Sequence, residues 1–295
     1  MNPASILALT LMAGTPLLLA VTGELMVQKG GMINIALEAM MLMSAFTAAL
    51  IATTSNSVTL GFVAGVAGGA LIALAFGFMV ITLGVDQIVS GTALNLLTLG
   101  ITGVAYQQTR ERFESGVPSV KPFAWASGIP IVERLDSTVL LAWVCVPCVA
   151  GFLLWRTRFG LRLRACGENS ETIEHAGLPA SNYRWSALAI EAFLAGIAGA
   201  YLSLSLSPGF AENMVAGRGF IALAIVIFGR WTLRGVLAGV LLFSLGSSIQ
   251  FLLQANHHQI SFHLFLVLPY LLTLAILVLS RAGTNAPAAL GKRIA

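Results

Sequence analysis

Seven acidic or amide side chains lie within long apolar segments of this chain or at their ends. They are Glu24, Asn34, Glu38, Asp86, Asn95, Glu191 and Asn213. Polar groups inside a membrane cost free energy, so they usually face a bundle interior or a water-filled cavity. Glu24 and Asp86 fall near the ends of predicted helices, where solvation at the membrane interface explains them. We predict that four of the others line the path of a small-molecule substrate: Asn34, Glu38, Asn95 and Asn213.

Two of these residues, Asn34 and Glu38, are one helical turn apart and therefore share a helix face. Gly30 and Gly31 come just before them and indicate a broken start to the helix. Transporters use such breaks to direct backbone dipoles at a substrate. Hydrogen bonding between helices is the alternative role for all four path residues.

Motifs for enzymatic chemistry are absent from the sequence. It contains no G-x-x-x-x-G-K-[ST], G-x-S-x-G or H-E-x-x-H pattern, so we expect no enzyme, no catalytic residue and no ATP hydrolysis by this chain. His257, His258 and His263 have no acidic or cysteine residue close by, which favours a loop over a metal site. We predict no bound metal or cofactor.

The composition is that of a polytopic membrane protein. Hydrophobic residues make up 57% of the chain and charged residues only 9%, and the mean hydropathy is +0.89. The net charge is +4, but the basic residues flank apolar runs and form no stripe with aromatic residues. The sequence therefore predicts contact with membrane lipid and no nucleic-acid partner.

Apolar segments recur along the chain, and most are long enough to cross about 30 Å of hydrocarbon. We place them at 3–22, 33–52, 58–83, 85–106, 138–155, 185–206, 217–228, 235–253 and 263–280. The seventh is too short to cross alone and suits a re-entrant segment. The prediction is an all-α membrane protein with 8–9 transmembrane or re-entrant helices, in one transmembrane domain, 1–295.

A weak internal similarity is compatible with an inverted repeat. The residues from Gly31 to Leu37 and those from Gly219 to Ile225 share a pattern of glycine and aliphatic side chains. The predicted topology runs the two stretches in opposite directions across the membrane. Inverted repeats in transporters have this relation.

Flanking charges predict the orientation, because cytoplasmic loops carry an excess of Lys and Arg. With the amino terminus outside, the inner side holds Lys29, Arg156, Arg158, Arg162, Arg164, Arg184, Arg230, Arg234, Arg281, Lys292 and Arg293. The outer side holds Arg110, Arg112, Lys121, Arg134 and Arg218, near several acidic residues. We expect an external loop at 107–137 and a cytoplasmic carboxyl terminus.

The long cytoplasmic connection, 156–184, predicts a short polar helix. Asn169 or Ser170 could cap its start, and Gly177 and Pro179 would end it. A polar helix held between two membrane segments suits contact with a protein. The alternative is a solvated turn that only connects helices.

Four stretches of the chain carry a family resemblance: GELMVQKGGMINIALEAMMLMSAF at 23–46, FGLRLRACGENSETIEHAGLPASNYR at 159–184, ENMVAGRGFIALAIVIFGRW at 212–231 and LPYLLTLAILVL at 268–279. Together they resemble permease subunits of ABC importers for nucleosides, simple sugars and branched-chain amino acids. The similarity is greatest to nucleoside or simple-sugar members.

The resemblance implies a heteromeric importer in a bacterial plasma membrane. A second permease subunit, a copy or a paralogue, would complete the pore, an ABC ATPase subunit would use ATP inside, and an extracytoplasmic solute-binding protein would deliver substrate. Family permeases contact the ATPase through a coupling helix. The matching residues here are Gly167, Glu168, Asn169, Ser170, Glu171, Glu174, His175, Ala176 and Gly177.

Two other functions remain open at this point. One is an ABC permease for branched-chain amino acids. The other is a stand-alone secondary transporter, coupled to protons or sodium through Glu38 or Glu191. In the ABC interpretation, the partner ATPase would drive alternating access from outside this chain.

Overall fold

The computed structural model describes residues 3–113, 116–120, 135–256 and 286–292. Every regular element in these ranges is helical, which confirms the all-α prediction. The α-helices are α1 Pro3–Lys29, α2 Leu37–Ser55, α3 Val58–Gly77, α4 Gln87–Phe113, α5 Ser137–Arg156, α6 Arg158–Glu168, α7 Ser170–His175, α8 Ala180–Tyr201, α9 Arg218–Phe228 and α10 Leu233–Asn256. Wider π-helical turns extend α3 over Phe78–Thr82 and α8 over Leu202–Leu206.

Seven of these helices are long and apolar enough to cross a membrane, namely α1, α2, α3, α4, α5, α8 and α10. This confirms the prediction of a polytopic membrane protein. Helix α9 has 11 residues, which corresponds to about 16 Å and so to about half of the hydrocarbon thickness. The ninth predicted segment, 263–280, and all three of His257, His258 and His263 lie outside the described residues.

Helices α1, α2 and α8 form the centre of the bundle, and small residues let them approach closely. A Cβ atom added to Gly196 on α8 would lie 2.7 Å from the Cα of Val66 on α3. One added to Gly23 on α1 would lie 2.9 Å from the Cα of Glu191 on α8. Such close packing is how membrane helices associate without a hydrophobic driving force. By contrast, α4 and α5 expose rows of large apolar side chains such as Leu96 and Phe152, as lipid-facing helices do.

Two non-helical segments interrupt the bundle, residues 30–36 before α2 and residues 207–217 before α9. The first confirms the break predicted at Gly30 and Gly31, and Gly31 has the left-handed φ of +84°. Helix α1 continues to Lys29, well past the predicted end at Thr22. The stretch between Gly31 and Leu37 is therefore irregular, whereas that between Gly219 and Ile225 is helical. The similarity of pattern between them does not extend to local structure, because glycine and aliphatic residues fit either conformation.

One face of the molecule carries α6 and α7, and we call it the α6–α7 face. The segment 286–292 crosses this face, where the Ala289 amide donates to the carbonyl of Gly167 (2.9 Å). The side-chain Nε2 of Gln87, at the start of α4, donates to the backbone carbonyl of Lys292 (2.9 Å). The carboxyl-terminal segment thus joins the end of α6 to the start of α4.

The predicted loops start or end differently in the structure. Helix α4 runs to Phe113, so the first residues of the loop predicted at 107–137 are helical. In this last part of α4, Thr109 donates to the carbonyl of Ala105 (2.7 Å), and the rings of Tyr106 and Phe113 are tilted by 42° with centroids 5.6 Å apart. The predicted connection 156–184 is largely helical too, since it contains α6, α7 and the first turn of α8.

Candidate functional site

The starts of α2 and α9 meet inside the bundle at the carboxylate of Glu38. Its Oε1 accepts a hydrogen bond from the amide of Gly217 and its Oε2 from the amide of Gly219, both at 2.7 Å. Glu38 is 8% exposed. A carboxylate at this point satisfies two backbone donors and complements the positive end of the α9 dipole. Glu38 therefore fixes the position of α9 against α2.

Asn95 on α4 holds the other side of the same junction. Its Nδ2 donates to the carbonyl of Ile35 (2.9 Å), and its Oδ1 accepts from the amide of Ala39 (2.9 Å). The side chain replaces bonds that the helix cannot make at its first turn. The break before α2 is thus stabilised from α4 as well as from α9.

Asn34 lies at the centre of a buried polar network formed by Glu24, Gln28, Asn34, Glu191 and Trp231. Its Nδ2 donates to Oε2 of Glu191 (2.6 Å), and its backbone amide donates to Oε1 of Glu24 (3.3 Å). Gln28 donates to the same Glu24 oxygen (2.7 Å) and accepts from Nε1 of Trp231 (2.7 Å). This network connects α1, the break, α8 and the turn after α9.

Asn213 is separate from the other predicted path residues. It lies exposed in the 207–217 segment, with a left-handed φ of +56°. The structure thus brings Asn34, Glu38 and Asn95 together around the start of α2, where each has hydrogen-bond partners within the protein. Their contact with substrate stays a prediction.

A groove runs along the exposed side of α9 and α10, and the sequence did not reveal it. It consists of three adjoining cavities of about 320, 540 and 340 Å³. Leu206, Ser207 and Arg218 line both the first and the second cavity, and Ile221 and Phe243 line both the second and the third. The α9–α10 groove therefore extends from the 207–217 segment to Phe228, towards the α6–α7 face.

The middle cavity of the α9–α10 groove carries its polar groups. They belong to Ser207, Arg218, Ser244, Ser247, Ser248 and Gln250. Arg218 is held by donating from Nη1 to the carbonyls of Met214 (3.0 Å) and Val215 (2.9 Å). The remaining lining is mostly apolar, and this combination is typical of small-molecule sites. The sequence does contain a signal that could have indicated this face of α10, namely the serines of LFSLGSSIQ at 242–250, which are spaced by three and four.

The turn between α6 and α7 presents most of the residues that the resemblance assigns to ATPase contact. Asn169 caps α7 by accepting from the amide of Glu171 (3.0 Å), and Gly177 follows the helix with a φ of +75°, as predicted. Exposed here are Glu168, Asn169, Glu171, Glu174, His175, Ala176 and Gly177, while Ser170 is half-buried. Ile173 anchors α7 by packing under it with Cys166. Burial raises the pKa of the Cys166 thiol, which favours its protonated form.

Gly167 differs from its neighbours because it is buried against the break. An added Cβ would overlap the carbonyl oxygen of Lys29 and lie 3.2 Å from the amide of Gly31. Arg184 at the start of α8 also donates from Nε to the carbonyl of Gly30 (3.5 Å). The end of α6 and the start of α8 are therefore in direct contact with the segment that leads into α2.

Comparison with known proteins now places the chain in a family. Residues 5–279 match the family described as "Branched-chain amino acid transport system / permease component". The chain belongs to this permease family. No solved structure shows a significant match to this permease.

Named relatives of the permease are ABC transporter subunits. It is 32% identical to the "Nucleoside ABC transporter permease protein NupC" of Lactococcus lactis, over 97% of this chain and 95% of that protein. It is 35% identical to the "Putative glucose ABC transporter permease protein TsgC13" of Haloferax volcanii, over 84% of this chain and 77% of that protein. Identity to the "Guanosine ABC transporter permease protein NupQ" of Bacillus subtilis is 29%, over 96% and 93% of the two chains.

The described part of the permease contains no cluster of side chains that could bind a metal ion. No three His, Cys, Asp or Glu side chains converge within those ranges. Cys145 and Cys148 are exposed on α5, where the apolar surface meets lipid.

Proposed function

We propose that this permease is the membrane subunit of an ATP-driven ABC importer that moves nucleosides or simple sugars into the cell. The observation that carries the proposal is the similarity to a nucleoside permease over 97% of this chain. The named relatives include guanosine and glucose permeases as well. The family description itself mentions branched-chain amino acids, so leucine-like substrates are the second candidate.

The α9–α10 groove is the proposed substrate path. Its polar groups range from the buried Ser244 and Ser248 to the exposed Ser207, and they lie on or next to helices that are otherwise apolar. The cavities on either side continue the groove along α9. Glu38 fixes the start of α9 beside this path, while Asn95 and Asn34 hold the start of α2 behind it. Asn213 lies in the 207–217 segment, next to the first cavity. These four residues therefore shape the path in the proposal, and the groove supplies the surface along it.

The chemistry of the groove favours a hydroxylated substrate over a branched-chain amino acid. Serine hydroxyls and the Gln250 amide can exchange hydrogen bonds with the hydroxyls of a sugar or a ribose. A leucine side chain would leave those groups unpaired, and a buried unpaired polar group is costly. Phe220, Phe228 and Phe243 offer apolar surface for a base.

We place the α6–α7 face in the cytoplasm and the amino terminus outside. Lys29, Arg184 and most other basic residues at helix ends lie on or beside this face, as the positive-inside rule requires. The chain has no nucleotide-binding motif, so an ABC ATPase subunit would bind the exposed residues of the α6–α7 turn and hydrolyse ATP. A second permease subunit and an extracytoplasmic solute-binding protein complete the proposed importer in a bacterial plasma membrane.

The contacts of Gly167 and Arg184 connect the proposed ATPase-binding turn to the start of α2. Movement of α6 and α7 by the ATPase would act directly on Gly30 and Gly31, because the backbones touch there. The break leads into α2, whose first turn is bonded to α9 through Glu38. Displacing α9 would open or close the groove at either end, which is alternating access by rigid elements.

Competition for uptake tests the proposed function. Cells that express this chain with its ATPase and binding protein should take up labelled guanosine or a labelled simple sugar, and the unlabelled solute should compete. A Walker-motif variant of the ATPase is the matched control and should abolish uptake. Inhibition by leucine alone would contradict the substrate assignment, and uptake without the ATPase would contradict the ABC mechanism.

A further inference from the structure

Two carboxyl groups lie close together inside the bundle, and among the described residues they accept hydrogen bonds from Gln28 and Asn34. Glu24 on α1 and Glu191 on α8 are both fully buried, at 0% exposure. Asn34 joins them, because its backbone amide donates to Glu24 and its side-chain amide donates to Glu191. The helices are in van der Waals contact at this level, since Gly23 packs on Glu191 itself. The two acidic groups are thus held together by the packing of the backbone.

The hydrogen bonds of the pair leave one oxygen of each carboxyl group unused. Oε1 of Glu24 accepts from Gln28 and Asn34, and Oε2 of Glu191 accepts from Asn34. Within the described part of the chain, no hydrogen-bond donor reaches Oε2 of Glu24, Oε1 of Glu191 or the buried Oδ1 of Asn34. A buried acceptor without a donor costs about 1–3 kcal/mol. The arrangement therefore brings three acceptor oxygens together among the described residues, and a proton is the simplest group that can bond to acceptors alone.

The charged groups on surrounding elements are engaged elsewhere or lie towards the ends of their helices. They are Lys29 on α1, Glu38 on α2, Arg184 on α8, Arg218 on α9, Arg230 in the following turn and Arg234 on α10. Glu38 binds the α9 backbone, and Arg184 donates to Gly30. Arg218 donates to Met214 and Val215. The hydrogen bonds described for the pair come instead from the neutral side chains of Gln28 and Asn34 and from the backbone of Asn34.

We propose that Glu24 and Glu191 form a proton-binding site in which one shared proton bridges the two unused carboxyl oxygens. Two carboxylates in contact cannot both stay ionised in a medium of low dielectric constant. One proton turns the repulsion into a hydrogen bond between an acid and a carboxylate, which is a strong type of bond. A hard metal cation is a poorer ligand, because it takes about six oxygens and three unpartnered side-chain oxygens lie here.

By joining Glu24 to Glu191, the proton stabilises the packing of α1 on α8 next to the 30–36 segment. It is retained as part of the folded structure and is not transported with substrate, so the site does not depend on what the permease carries. Glu24 acts here as a positioning residue, because its other oxygen holds the Asn34 backbone. Loss of the proton at alkaline pH leaves two negative charges in contact and weakens the packing of α1 on α8.

Infrared spectroscopy of the full-length permease in lipid nanodiscs tests the site. The wild-type protein at neutral pH should show the C=O stretching band of a buried protonated carboxyl group, and the double variant Glu24→Gln/Glu191→Gln should lack it. Glu212→Gln, in an exposed position, is the matched control and should keep the band. A folded wild-type protein without the band would overturn the proposal. If sodium then stabilised that protein, the site would bind a metal cation and the shared proton would still be excluded.

Thermal stability gives the second readout, and it needs no substrate or partner. The wild-type Tm should fall between neutral and alkaline pH by about 2–4 °C or more, because the folded state loses a proton that it binds. Glu191→Gln should reduce this fall, since its amide can donate to Glu24 without a proton. An equal fall in that variant would contradict the shared proton. Failure of uptake, by contrast, would bear on the proposed function alone.

Discussion

Oε2 of Glu38 accepts a hydrogen bond of 2.7 Å from the amide of Gly219, and this contact joins the first turn of α2 to the first turn of α9. The two residues are far apart in sequence, and each belongs to a helix that follows a non-helical segment. A Cβ atom on Gly219 would lie 2.6 Å from the Glu38 amide nitrogen. The junction therefore requires both the carboxylate of Glu38 and a glycine at position 219.

Replacing Gly219 by alanine should damage this junction. The added methyl group meets backbone atoms of Glu38 that cannot rotate away, so we expect Gly219→Ala to destabilise the protein by about 1–3 kcal/mol. The Tm of the purified permease in nanodiscs measures this loss. Gly103→Ala on α4 is the control, because no atom of the described residues lies within 4 Å of its added Cβ. Equal Tm values for the two variants would refute the close contact.

A bulky side chain in the α9–α10 groove should block the proposed path. Ser247 lines the middle cavity and is half-buried, so Ser247→Trp fills space that a substrate would need. We expect uptake to fall about tenfold, equivalent to about 1.4 kcal/mol at the limiting step. Leu245→Trp, on the exposed side of the same helix, should transport normally. If both variants keep full uptake at equal expression, the path lies elsewhere.

A cysteine in the α6–α7 turn should crosslink to the ATPase subunit. Ser170→Cys places a thiol among the exposed residues proposed to contact the ATPase, and a short bifunctional maleimide should join it to a cysteine introduced in that subunit. The background should be a variant without Cys145, Cys148 and Cys166. Asn56→Cys, in the turn between α2 and α3, is the control and should give no such product. A crosslink from the control but not from Ser170 would reverse the assignment of the faces.

The orientation can be measured with a maleimide that does not cross membranes. Asn56 lies exposed in a turn on the face opposite α6 and α7, so Asn56→Cys should be labelled in intact cells. Ser170→Cys should be labelled only after the membrane is opened. The reverse pattern would show that the amino terminus is cytoplasmic, and the positive-inside count would then be wrong for this chain.

Local signals explain which features could be predicted. The start and end of α7 depend on neighbouring residues only: Asn169 is the cap among the two predicted candidates, and the helix ends before Gly177 as predicted. Glu24 shows the limit of this reasoning. It was placed near a solvated helix end, but α1 continues to Lys29 and buries it against Glu191. No pattern near either residue reveals a partner so distant in the chain.

Arg218 was likewise assigned to the outer side by charge counting. The structure places it half-buried at the start of α9, in the wall of the α9–α10 groove. The sequence could not show this, because the 207–217 segment returns into the bundle before α9 begins. A count of flanking charges assumes that segment ends lie at the membrane surface.

Hydrophobic length and motif order are properties of the chain alone, so the membrane class, the approximate apolar segments and the family could be inferred from the sequence. Which polar groups meet depends on tertiary packing. Glu38 joins Gly219, Asn34 joins Glu191, and the serines of α10 line a groove with Arg218, because helices pack through contacts between distant residues. A polar residue inside a membrane must find a partner, and the fold determines which one it finds.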